Sequence, residues 1–221
     1  MNGALVGASG FELKAPILML VTDRHSVGGA DALVEAVDAA IGGGVNAVQL
    51  REKDLSPAEL LPLAVRLREV TAGRALFLVN GPLGVALEAA ADGVHLPEYT
   101  VAPPPPWTFT WGRSVHTTVG ALQAVEGAAR YLIAGPLYST ATHPKEAPAG
   151  VQLIREIVPA SRVPVIGIGG ITQGNARDVI QAGASGVAVI SAILGSPDPG
   201  ASAQALSQTI QDAWPVRRVV P

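Results

Sequence analysis

Eight short apolar runs, each followed by a segment of helical period or by a loop, set the narrowest limit on what this chain can become. They lie at 17–21, 47–50, 75–79, 93–96, within 108–115, and at 131–134, 163–168 and 186–190. Strands that are apolar without alternation need cover on both faces, and strands that alternate with helices need parallel crossovers. Helical segments are expected at 31–41, from Ser56-Pro57 onward, and at 82–90, 117–128, 151–158, 175–182 and 201–213. Gly42-Gly43-Gly44 stops the first, and Ser56 as N-cap with Pro57 behind it opens the second. The units predict a single (β/α)8 TIM barrel over residues 15–214, between an N-terminal extension (1–14) and a C-terminal tail (215–221). A doubly wound open sheet would gather its motifs at one crevice, whereas here they recur at successive strand ends.

The length of 221 residues suits one such barrel, and at 48% hydrophobic with only 4% aromatic its core must come from Ala, Val, Leu and Ile. A net charge of −3 without a basic run argues against nucleic acid as a partner. Cysteine is absent, which excludes disulfides, thiolate metal sites and cysteine nucleophiles. The first fifteen residues lack the basic start and apolar core of a signal peptide, and no apolar run reaches the roughly 18 residues of a membrane span. A soluble cytoplasmic protein with no membrane partner is expected. An alanine-rich outer helix is compatible with a homodimer contact, and Pro103 to Pro106 reads as a surface connector.

In a barrel the chemistry sits where strands end. Gly169 and Gly170 follow the seventh strand, and Ile190 and Ser191 close the eighth. Missing Cβ atoms let backbone N–H groups approach an anion, and the loops after strands 7 and 8 of such barrels frequently bind phosphate. The same glycines would also serve a tight turn. Arg51 and Lys53 put two cations at the mouth, suited to a carboxylate or second phosphate, unless Glu52 or Asp54 neutralises them. His116, one residue past the fifth strand, is the candidate for proton transfer, with hydrogen bonding at a helix start as its plainer role. His95 lies inside a strand and reads as structural, while Asn80, Thr140 and Thr142 stand at strand ends as candidate substrate contacts. No His/Glu cluster has zinc-ligand spacing, and carboxylates for magnesium are scattered over different loops, so neither metal nor cofactor is expected.

Taken together, Gln49-Leu50-Arg51-Glu52-Lys53, Val79-Asn80, Asp92 to Leu96, Gly135-Pro136-Leu137-Tyr138, Val165 to Ile171 and Ile190 to Ile193 resemble the thiamine phosphate synthase superfamily. The match runs in order from about residue 17 to residue 213. The resemblance implies a (β/α)8 barrel holding a thiazole phosphate at the loops of Gly169, Gly170 and Ser191.

Two branches share that scaffold. The synthase branch couples a pyrimidine pyrophosphate to the thiazole phosphate with Mg²⁺, held by an aspartate after strand 3 and another after strand 4. Here those positions carry Gly81 and, at about the second, Thr100; a lysine of the sixth loop is replaced by His143. The tautomerase branch has Asn-Gly, Leu-Pro and Gly-Arg-Ser-Val-His, matched by Asn80-Gly81, Leu96-Pro97 and Gly112 to His116. The resemblance therefore implies a thiazole tautomerase, an isomerase that aromatises a carboxythiazole phosphate with His116 as acid and base and without a metal. The alternatives are a synthase using Glu98 as a substitute ligand for magnesium, and a regulatory barrel that binds thiazole phosphate without turnover.

Overall fold

The computed structural model describes residues 5–6, 12–101, 110–140 and 147–215. A short antiparallel pair, β1 (Leu5–Val6) and β2 (Glu12–Leu13), precedes eight strands that close on one another. These are β3 (Ile17–Val21), β4 (Ala47–Leu50), β5 (Leu76–Asn80), β6 (Gly93–Leu96), β7 (Thr110–Val115), β8 (Tyr131–Ala134), β9 (Val165–Ile168) and β10 (Gly186–Val189). Every neighbouring pair is parallel and follows sequence order, and β10 pairs back onto β3 from Gly186↔Ile17 to Val189↔Leu20. The expected barrel is the observed one.

The continuous apolar runs are explained by two cores. Ile17, Met19, Val21, Ala47, Leu76, Leu78, Ile133, Ile166 and Ala188 point inward and fill the barrel. Their neighbours, among them Leu18, Leu20, Val48, Phe77, Leu132 and Val187, point outward against the helices. Each large side chain buried this way is worth about 1.5–3 kcal/mol, so both faces of the strands are mainly apolar, and the buried polar residues Gln49, His95 and Thr110 are the exceptions. Leu13, at the end of β2, is 2% exposed and joins the inner set beside Ile17, closing the base of the barrel.

The outer layer consists of α1 (Ala30–Gly42), α2 (Pro57–Thr71), α3 (Leu83–Glu88), α4 (Thr118–Glu126), α5 (Gln152–Ala160), α6 (Ala176–Gln181), α7 (Ser191–Leu194) and α8 (Pro199–Ala213). Ser56 caps α2 as expected: its Oγ accepts from the Glu59 amide, and the Glu59 carboxylate accepts from the Ser56 amide. Such a cap contributes about 1 kcal/mol. The sequence reading lacked the pair β1–β2, a 3₁₀ turn at Arg24–Ser26 and the four-residue α7. Elements this short carry no periodicity and are held by tertiary contacts.

Candidate functional site at the C-terminal mouth

The loops at the C-terminal ends of the strands bring most of the expected residues to one mouth, and its two sides are built differently. On the β8–β9–β10 side the backbone does the shaping. Gly169 (φ +98°) and Gly170 (φ +62°) both lie in the left-handed region. A Cβ on Gly169 would meet Pro136, and one on Gly170 would run into the Ser139 carbonyl and Tyr138. The missing side chains therefore make room for the loop after β8. The Leu137 amide donates to Ile168 O (2.9 Å) and the Tyr138 amide to Gly169 O (3.0 Å), fastening the two loops together. Asn175 holds the far end of the turn, donating to Gly170 O (3.0 Å) and accepting from the Thr172 amide (2.8 Å). Ile190 and exposed Ser191 follow β10, and Ser191 is the first residue of α7, where the opening amides have no acceptor within the helix. Thr140 is half-buried in the loop after β8; Thr142 and His143 fall outside the described residues.

On the β4–β7 side, side chains do the work. Thr22 Oγ1 accepts from the Arg51 amide (2.9 Å), tying the end of β4 to the end of β3. The carboxylates that flank Arg51 in sequence are engaged elsewhere. Arg24 donates from its backbone amide to both oxygens of buried Glu52 (3.2 Å each), and its guanidinium spans both oxygens of Asp54 (2.6 and 2.5 Å). Arg24, and after it His25, hold the Asp54 carboxyl well below the usual carboxylate range. Arg51 is half-buried, and burial lowers its pKa, with Asp23 and Glu52 partly opposing. Lys53 is exposed. Asn80 donates to Gln49 Oε1 (3.2 Å), which fixes its side chain at the end of β5.

His116 has the partner that its sequence context did not reveal. Its Nδ1 lies 2.7 Å from Glu98 Oε2, and its backbone amide donates to Glu98 Oε1 (3.3 Å). A carboxylate only accepts, so Nδ1 carries the proton and Nε2 is the ring nitrogen available to chemistry. Gly120 makes the pair possible, because a Cβ there would collide with the Glu98 carboxylate. Two further histidine contacts lie deeper. His95 is 1% exposed between Tyr131 OH (3.1 Å) and Ser114 Oγ (2.8 Å), and neither partner was singled out from the sequence. Only the spacing of Gly112 and Ser114 on one face of a strand could have pointed to them.

The described side chains of this rim do not form a magnesium site. Gly81 (φ +104°) and Thr100 stand where the synthase branch has carboxylates, Glu98 is committed to His116, and Glu52 to Arg24. Among the described residues no group of three or more His, Asp or Glu side chains could hold a metal. No described helix is long and apolar enough to cross a membrane.

Residues 18–193 match the family described as thiamine monophosphate synthase. The chain is 40% identical over 197 residues to the thiamine-phosphate synthase of Roseiflexus castenholzii, covering 86% of each. It is 38% identical over 218 residues to that of Albidiferax ferrireducens, covering 95% of this chain and 99% of the relative. Among solved structures, thiamine phosphate pyrophosphorylase from Pyrococcus furiosus superposes with a TM-score of 0.80 at 33% identity, over 89% of this chain and 96% of that one. These relatives overturn the tautomerase and isomerase reading. That reading leans on Asn80-Gly81, Leu96-Pro97 and the run Gly112 to His116, a few positions on neighbouring strands, whereas the match to relatives named as synthases covers 86–95% of the chain. The chain belongs to the thiamine monophosphate synthase family.

Proposed function

We propose that this barrel is a transferase of the thiamine-phosphate synthase type, in which a thiazole phosphate displaces pyrophosphate from the methylene carbon of a pyrimidine pyrophosphate. The observation that carries this reading is the 38–40% identity to synthases along nearly the whole chain. The two-sided mouth supports it. The fastened loop of Gly169 and Gly170, with Ile190 and Ser191 beside it, receives the thiazole phosphate on backbone amides. Arg51 and Lys53 on the other side meet the pyrophosphate; a guanidinium can grip two of its oxygens at once. Asn80, Thr140 and Thr142 contact the rest of the substrates. His116, its Nδ1–H held by Glu98, is the group that passes a proton from Nε2 to the departing pyrophosphate oxygen when the ring is protonated on both nitrogens. No step is assigned to a metal, because the described side chains of this rim do not form its site.

The test is to supply both substrates to the purified protein and follow pyrophosphate release and thiamine phosphate formation, with magnesium and with a chelator. Stoichiometric appearance of both products is expected. Saturable thiazole phosphate binding with no pyrophosphate released under either condition would leave a non-catalytic binding barrel and defeat the proposal.

A further inference from the structure

The buried chain Tyr131–His95–Ser114 has only one arrangement of protons that leaves no donor stranded. Tyr131 is 0% exposed, and its hydroxyl has His95 Nδ1 as its hydrogen-bond partner (3.1 Å) among the described residues. If Nδ1 carried the imidazole proton, the tyrosine would accept and its own hydrogen would point into hydrocarbon, a desolvated donor with no acceptor. The hydroxyl therefore donates to Nδ1, and the proton of the neutral ring sits on Nε2. Burial, and behind it the nearby guanidinium groups of Arg51 and Arg113, pulls His95 down to about 3, so the ring is neutral at working pH. Nε2–H then donates to Ser114 Oγ (2.8 Å), and the serine's own hydrogen must go elsewhere.

Elsewhere is the mouth. Gly112 sits two residues below Ser114 on the same face of β7, and a Cβ there would strike the ring of Tyr131, an inward-facing residue. Ser114 pairs in register with inward-facing Ile133 and is half-buried, one layer nearer the C-terminal rim. We infer that Tyr131 and His95 are positioning residues that turn the hydroxyl hydrogen of Ser114 away from the imidazole and into the mouth, so that this subsite favours an anionic oxygen. Arg51 and Arg113 are close enough to act on His95, and positive charge nearby favours a negative accepting atom. The inference rests on the proposed function for the identity of that anion, and not for the tautomer itself.

The decisive measurement is the ¹⁵N–¹H correlation spectrum of the imidazoles in the full chain, with His95 assigned by its loss in His95→Gln. Nε2 should be pyrrole-like and Nδ1 pyridine-like, unchanged between pH 5 and pH 8, about two units or more clear of its titration. A ring protonated on Nδ1 in the wild-type protein would overturn the inference, whatever the enzyme's activity. Binding supplies the second arm, with inorganic pyrophosphate as the phosphoryl probe and acetate as the carboxylate probe. Tyr131→Phe keeps the ring in its slot but frees the tautomer, and should weaken at least one probe about three- to tenfold. Ser114→Ala should weaken the same probe at least as much, and the double variant no more than Ser114→Ala alone. Additive losses in the double variant, or neither probe weakened, would show that the tyrosine and histidine do not act through the serine.

Discussion

The two sides of the mouth differ in what they are made of. Around β8, β9 and β10 the shape comes from main chain: left-handed glycines, a loop fastened by amide–carbonyl bonds, and the opening amides of α7. Around β4 to β7 it comes from side chains, each held by another: Asn80 by Gln49, His116 by Glu98, Ser114 by His95 and Tyr131. A backbone-built half changes little when side chains change, provided its glycines stay. A side-chain-built half can exchange its chemistry one residue at a time. That is why Gly81 and Thr100 can replace expected carboxylates while the glycine loop is intact, and why a branch is harder to assign than a family.

The largest effect expected on this contrast comes from Gly170→Val. A β-branched residue at φ +62°, driven into the Ser139 carbonyl, should destabilise the protein by about 2–4 kcal/mol, seen as a lower Tm, and abolish measurable thiazole phosphate binding. If binding survived, the backbone half would not be the phosphate cradle. Next comes Arg51→Ala, which should lower kcat/KM for the pyrophosphate-bearing substrate about 100-fold with Tm almost unchanged, since Asp23 and Glu52 act on it only at a distance. A loss shared equally by both substrates would blur the division of the mouth.

Glu98→Gln is smaller. It replaces an obligate acceptor with an amide and frees the tautomer of His116, so kcat should fall about tenfold while both KM values hold. Unchanged kcat would reduce the pair to a helix-start contact. The mildest effect is one of pH. His95 is held near 3 when folded against about 6.5 when unfolded, so below pH 6.5 the unfolded chain takes up a proton that the native protein does not. Stability should be level above that value and decline as pH falls towards 4.5, and the decline should flatten in His95→Gln. Thermal melts across that window decide it.

Most of the barrel was legible because its signal is local and repeated. Each strand is a short apolar run, and Ser56-Pro57 starts a helix by chemistry contained within four residues. The backbone-built half was legible in position, since Gly169, Gly170 and Ser191 follow adjacent strands, but not in cause. That Gly170 yields space to Ser139 is a contact across 31 residues of chain (170 − 139). The side-chain half was hidden for the same reason. His116 was chosen for its place at a strand end, but Glu98 lies 18 residues away and the network of His95 spans 36. The tautomerase expectation rests on a handful of rim residues, and the rim is the part that side-chain exchange alters most readily.

Leu13 carries a last consequence. The eight repeated units do not stop the lower end of the barrel; a residue from the short strand pair ahead of them does. The vessel is thus open at one end and corked at the other by a piece that no strand of the wall supplies. A chain trimmed to begin at Ile17 would keep every stave and lose the cork. Its interior would be wetted from beneath, on the side opposite the substrates, and activity would drain away with no residue of the mouth having changed.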